Sequence, residues 1–196
     1  NKTASIISSN RLLVCLEIDG FVINTVKQLG INNGRFKVAV ELDEHLNSHG
    51  KDQVKFLFSA NKGVPLQEMS KVASGGEISR LMLAIKALLA KHLKLPSLIL
   101  DEIDSGVSGE IAGKISKILL EISKEIQLIV ITHLPQVAAK ANYHYKVEKH
   151  DDLKKNTTII NKLNDNERLD ELAKMLSGET ISLAARENAK ALISNH

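Results

Sequence analysis

Aromatic rings and thiols are scarce in this sequence. Of 196 residues only 3% are aromatic, with two Tyr, four Phe and no Trp. That excludes a surface that stacks single-stranded bases on successive rings. The single cysteine, Cys15, excludes an internal disulfide and any multi-cysteine zinc site, and it suits a reducing compartment. Long apolar runs are also missing: Leu12–Ile23 is broken by Glu17 and Asp19, and Leu81–Ala90 by Lys86. Neither can span a bilayer, and no secretory leader is recognisable, so no membrane association is expected. The net charge of +3 falls short of the strong basic field of a DNA-coating domain. What is present is ordinary globular material, 43% hydrophobic and 25% charged, which argues against disorder. The length suits one domain, or one domain with an appendage. The first residue is Asn1 and not Met, which is expected of a piece cut from a longer protein.

Hydrophobic spacing divides the chain. Leu12, Cys15, Leu16, Val22, Val26 and Leu29 recur at helical intervals, and Gly30 is a natural stop. Arg35–Leu42 and Gln53–Ser59 alternate, predicting two antiparallel strands joined by a polar stretch from Asp43 to Asp52. Ala60–Lys71 reads as a loop. Beyond it the pattern changes to helix over Glu77–Lys94, a short apolar run Ser97–Leu100, helix over Glu110–Glu125, and a second short run Leu128–Ile131. Such alternation predicts parallel βαβ units. A short helix from Pro135 to Ala141 and alternation over Tyr143–Val147 follow. Then come a charged turn at Asp151–Asn156, a strand over Thr157–Leu163, and two helices, Glu167–Leu176 and Ile181–Ile193. The expected class is α/β, a mainly parallel sheet flanked by helices, with an antiparallel hairpin near the N-terminus.

Three places could carry chemistry. Asp101 and Glu102 follow an apolar strand, where α/β sheets gather ligands. One carboxylate there can hold Mg²⁺ and the other can deprotonate or orient a water, although the pair also serves simply to cap a turn. Ser74-Gly75-Gly76-Glu77 opens a long helix; paired glycines let a phosphate approach its N-terminus, while S-x-x-E is equally a capping box that needs no ligand. His133 lies just past the second strand, a position that also suits a structural or solvated histidine. His45 and His49, in a polar loop, read as solvated. Ser105-Gly106-Val107-Ser108 is a small-residue loop directly after the carboxylates. The spacing leaves room for one helix and one strand between Ser74 and Asp101, and for another pair between Asp101 and His133. That order is the one found in the C-terminal half of an ABC-type ATPase head.

Val72–Arg80 resembles the signature motif of the RecN family of SMC-like DNA repair ATPases. Leu98–Gly109 resembles its Walker B segment and D-loop, and Ile131–Ala138 its His switch. The similarity runs from about Arg11 to the C-terminus. It implies that residues 1–30 are the end of a coiled coil entering the head, and that 31–196 form the C-terminal half of an ATPase head. It implies ATP and Mg²⁺ as cofactors, two heads sandwiching two ATP, and a cytoplasmic, nucleoid-associated protein of double-strand break repair. By position, Asp101 would hold Mg²⁺ through water and Glu102 would be the base. His133 would contact the γ-phosphate. Ser74, Gly75, Gly76 and Glu77 would meet the ATP of a partner head, and Ser105, Gly106, Val107 and Ser108 would line the dimer interface.

The chain departs from the family's complete site at one point: it contains no G-x-x-x-x-G-K-[ST] phosphate loop. The polypeptide alone is therefore expected not to hydrolyse ATP, and its own N-terminal Walker A segment, a second head and DNA are the expected partners. Lys86, Lys91 and Lys94 on one helix, and Lys114, Lys117 and Lys124 on another, read as solvated faces, so the DNA link rests on the resemblance. The alternatives are a head segment of another SMC-like ATPase, a metal-dependent phosphoesterase using Asp101, Glu102, Asp104 and His133, or a non-catalytic association module.

Overall fold

The computed structural model describes residues 2–72, 75–93, 95–101, 103–104, 107, 109–152, 155–178 and 180–194, and of 44, 150–152 and 155–156 it describes the backbone only. Helix α1 spans Lys2–Gln28. Cys15, Val22 and Val26 form its buried stripe. It starts well before Leu12, where apolar periodicity begins, because its first turns are held by polar contacts that periodicity does not register. The Ser8 hydroxyl donates to the Ala4 carbonyl at 2.9 Å and to Asp52 at 2.7 Å, and Lys51 reaches Ser5 at 3.1 Å. At the other end Gly30, with φ of 85°, allows a Schellman closure. Ile31 N donates to Val26 O at 2.9 Å and Gly30 N to Lys27 O at 3.0 Å.

Strands β1 (Arg35–Asn47) and β2 (Gly50–Ser59) pair antiparallel in the register Phe36–Phe58, Val38–Phe56 and Val40–Val54. The expected polar link over Asp43–Asp52 is corrected: the strands continue through most of it and turn only at Ser48 and His49. Side chains supply what a loop would otherwise leave unmet. Asn47 accepts from His49 N at 2.8 Å and Asp43 from His45 N at 3.1 Å. Asp52 turns inward, onto α1. The supposed loop over Ala60–Lys71 also holds strand β3 (Gln67–Glu68), which pairs with β2, and a 3-10 turn at Met69–Lys71. Phe36, Val38 and Phe58 project from one face of this sheet into a core with α1 and with Leu81 and Ala84 of α2 (Gly75–His92). Asp19 of α1 accepts from the Val38 amide at 2.8 Å and so satisfies an otherwise open edge of β1.

Strands β4 (Ser97–Leu100) and β5 (Gln127–Val130) pair in parallel, Leu100 opposite Val130. Helix α3 (Gly109–Glu125) connects them in sequence, as the βαβ pattern predicts. Ala112, Ile115, Leu119 and Ile122 form its buried stripe. The chain divides into two compact units, 1–107 with 121–130 and 108–120 with 131–196, the division falling within α3.

The second unit contains α4 (Pro135–Ala138), the antiparallel strands β6 (Tyr145–Asp152) and β7 (Lys155–Lys162), α5 (Asp165–Ser177) and α6 (Leu183–Ser194). Of the charged stretch at 151–156, residues 151–152 and 155–156 are strand, and residues 153 and 154, where a turn would fall, lie outside the described residues. A capping box starts α5: Asn164 accepts from Asn166 N and Glu167 N, each at 3.0 Å, while Glu167 accepts from Asn164 N at 2.8 Å. Ala138, Ala139, Ala173, Ala185 and Ala189 pack around Leu172, so these helices approach closely on small side chains.

Candidate functional site

In the first unit, α2 opens on Gly75, Gly76 and Glu77, the last placing a carboxylate in the helix's first turn. A Cβ on Gly75 would meet nothing within 4 Å, and its φ is not positive, so neither packing nor backbone conformation requires glycine there. The Ser79 hydroxyl donates back to the Gly75 carbonyl at 2.9 Å. Ser74 lies outside the described residues, and with it the capping box it would form with Glu77.

Asp101 follows Leu100, the fully buried last residue of β4, and is itself exposed. It borders a recess of about 210 Å³ together with Ile78, Ser79, Met82, Leu83 and Lys86 of α2 and with Ile103. The carboxylate therefore shares one hollow with the first turns of the helix that begins at Gly75. Lys86 faces it as well, although its sequence context suggested only a solvated face; its helical spacing from Ser79 and Met82 was the available signal. Glu102, Ser105, Gly106 and Ser108 lie outside the described residues. Asp104 is 2% exposed. Val107 N donates to Asp104 O at 3.2 Å.

In the second unit, His133 is exposed, three residues beyond the end of β5. The Thr132 hydroxyl beside it accepts from Leu134 N at 3.0 Å. Pro135 opens α4 at a position where its missing N–H costs nothing. Arg168, which sequence reasoning did not single out, supports this segment. Arg168 on α5 donates from Nη2 to the carbonyls of Ala139 and Ala141, both at 2.7 Å. Among the described residues Gln136 Oε1 is buried without a partner, and a Cβ on Gly109 would lie 3.6 Å from its Nε2. No motif announces Arg168, whereas Gln136 lies within the Ile131–Ala138 segment singled out in the sequence. Burial lowers the pKa of His144, the Arg168 charge lowers it further, and Glu171 opposes both. His45 and His49 are exposed, as read.

Asp101 and Gly75–Glu77 belong to the first unit and His133 to the second. Among the described residues no group of three or more His, Cys, Asp or Glu side chains forms a metal site, and no helix is long and apolar enough to cross a membrane.

Solved structures define the class. A chain from work on ATP-driven dimerisation and DNA-stimulated activation of SMC ATPases superposes with a TM-score of 0.59 at 18% identity, over 88% of this chain and 99% of that one. The Smc head domain of Pyrococcus yayanosii, with its coiled coil and joint, gives 0.63 at 19% identity over 82% and 29%. The fold is that of an SMC-type head domain, with an antiparallel hairpin sheet and parallel strands flanked by helices. No protein-family model matches the chain. Sequence gives the particular relationship. The chain is 42% identical over 193 residues to the DNA repair protein RecN of Rickettsia typhi, covering 98% of this chain and 35% of that protein. It is 38% identical over 185 residues to RecN of Vibrio cholerae, covering 94% and 33%. It spans about a third of the length of these curated relatives, and the similarity lies in their C-terminal part.

Proposed function

We propose that this chain is the C-terminal segment of a RecN-like DNA repair ATPase head, supplying part of a composite ATP site. The observation that carries the reading is Asp101: an exposed carboxylate directly beyond the buried end of a parallel strand, in one recess with the opening turns of α2. The carboxylate suits Mg²⁺, a hard cation that prefers oxygen donors and keeps several of its waters. When bound, the ion neutralises phosphate charge. Glu102 orients and deprotonates the attacking water. His133, exposed beyond β5, contacts the γ-phosphate. Ser74, Gly75, Gly76 and Glu77 present a helix N-terminus to the ATP held by a second head, and the open space at Gly75 supports close approach by an outside group. Ser105–Ser108 line the interface between heads.

The phosphate loop comes from the protein's own N-terminal segment. The uncovered Ile99–Ile129 pair on the β4–β5 sheet supports this reading, because parallel sheets are covered on both faces. Residues 1–30 are the end of a coiled coil entering the head, which exposed Leu12, Leu13 and Leu16 on α1 support; residues 31–196 belong to the head. The protein acts on DNA in the cytoplasm at the nucleoid. Direct DNA contact by this segment has little support: Lys114 and Lys124 are engaged by Glu110 and Glu121 at 2.9 and 2.6 Å. The reading is tested by mixing this chain with the N-terminal segment. ATP hydrolysis is expected only in the mixture; hydrolysis by this chain alone, or none in the mixture, overturns it.

A further inference from the structure

Helix α4 is a single turn, Pro135–Ala138, beginning two residues after His133. One turn of helix is not stable by itself, because it fixes several dihedrals for very few hydrogen bonds. Its geometry is imposed from outside. Ala138 and Ala139 pack on Leu172, Ala173, Ala185 and Ala189, but alanine contacts set a distance without interlocking, so they do not fix rotation or sliding. Polar contacts do. At the leading end is the Thr132–Leu134 bond. At the trailing end Arg168 closes the carbonyls of Ala139 and Ala141, both at 2.7 Å, and its charge opposes the negative end of the turn. Lys140 Nζ, two residues beyond α4, reaches the Leu192 carbonyl of α6 at 3.2 Å. Among the described residues Arg168 Nε is buried without a partner, so the guanidinium keeps this position even with one donor unmet.

We infer that Arg168 is a positioning residue for His133: by clamping the carboxyl end of α4 it sets the direction from which the imidazole acts. The inference rests on the proposed role of His133 at the γ-phosphate. The clamp acts at one end of a short rigid turn and the histidine sits at the other. Loss of the clamp therefore leaves nucleotide binding in place and disturbs the chemical step.

The test is steady-state ATP turnover of the full-length protein carrying R168A, R168K, H133A, R168A/H133A or D170N. R168A is expected to lower kcat by about 10- to 100-fold, as small misplacements of a reacting group do, with KM for ATP unchanged. R168K, which keeps the charge and a donor, is expected to recover part of the loss. Adding R168A to H133A is expected to cause no further loss, the signature of two residues acting through one. D170N removes the Asp170–Arg186 ion pair between α5 and α6 without touching Ala139 or Ala141 and is expected to leave kcat unchanged. Should R168A fail to fold, R168K alone and combined with H133A carries the same test. Wild-type kcat in the Arg168 variants, or losses that multiply with H133A, would overturn the inference while leaving His133 its role. Wild-type turnover by H133A would overturn both.

Discussion

The Asp52 carboxylate on β2 lies 2.8 Å from the Arg11 guanidinium on α1, across 41 residues of sequence. The Asp52 side chain is 1% exposed. Ser8 donates to its other oxygen at 2.7 Å, and Arg11 Nη2 also donates to the His49 carbonyl at 2.8 Å. The tip of the hairpin is thus pinned to the first half of α1. The helix is built into the first unit along most of its length.

That contact predicts an acid dependence. The hydrogen bond from Ser8, and then the bond and charge of Arg11, hold the Asp52 carboxyl below its usual range. A carboxyl depressed by folding stabilises the protein above its unfolded pKa, at about 4. That stabilisation is lost as pH falls through the lower folded value. D52N is therefore expected to melt at a lower temperature than wild type at neutral pH, with the gap closing at strongly acidic pH. Thermal melts across the acid range measure this; equal melting temperatures at neutral pH would contradict it.

The small-residue core of the second unit should respond oppositely to volume and still lose stability both ways. Leu172 and Ala173 are fully buried there. L172A is expected to cost about 2–5 kcal/mol through a cavity. A173L is expected to cost about 1–3 kcal/mol by forcing the helices apart. Denaturant unfolding of the chain reads both.

Ile99 and Ile129 face each other across the parallel pair, 61% and 46% exposed. If the N-terminal segment covers them, I99T/I129T should change the stability of this chain little, since exposed substitutions typically stay within about 0.5 kcal/mol each. The same double variant should weaken association with the N-terminal segment. A titration of the two polypeptides decides; unchanged affinity removes this face from the interface.

Elements governed by apolar spacing were legible in the sequence: α3 through Ile115 and Ile122, the β1–β2 alternation, the short runs that became β4 and β5. Elements governed by polar partners distant in sequence were not. Asp52 reads as part of a polar link, and no local pattern marks Ser8 or Arg11, until folding brings them together. The motif residues at Gly75, Asp101 and His133 stood out because short glycine and carboxylate patterns are local. Arg168 and Lys86 did not, since their significance lies in which carbonyls or recess they reach.

The most direct measurement is ATP turnover by the full-length protein carrying E102Q. Removing the base while keeping the shape of the side chain is expected to lower kcat by about 100-fold or more, the range for a general base. ATP binding should persist, because Asp101 and the phosphate loop remain. Turnover at the wild-type rate would contradict the assignment of this segment as the catalytic half of an ATPase head.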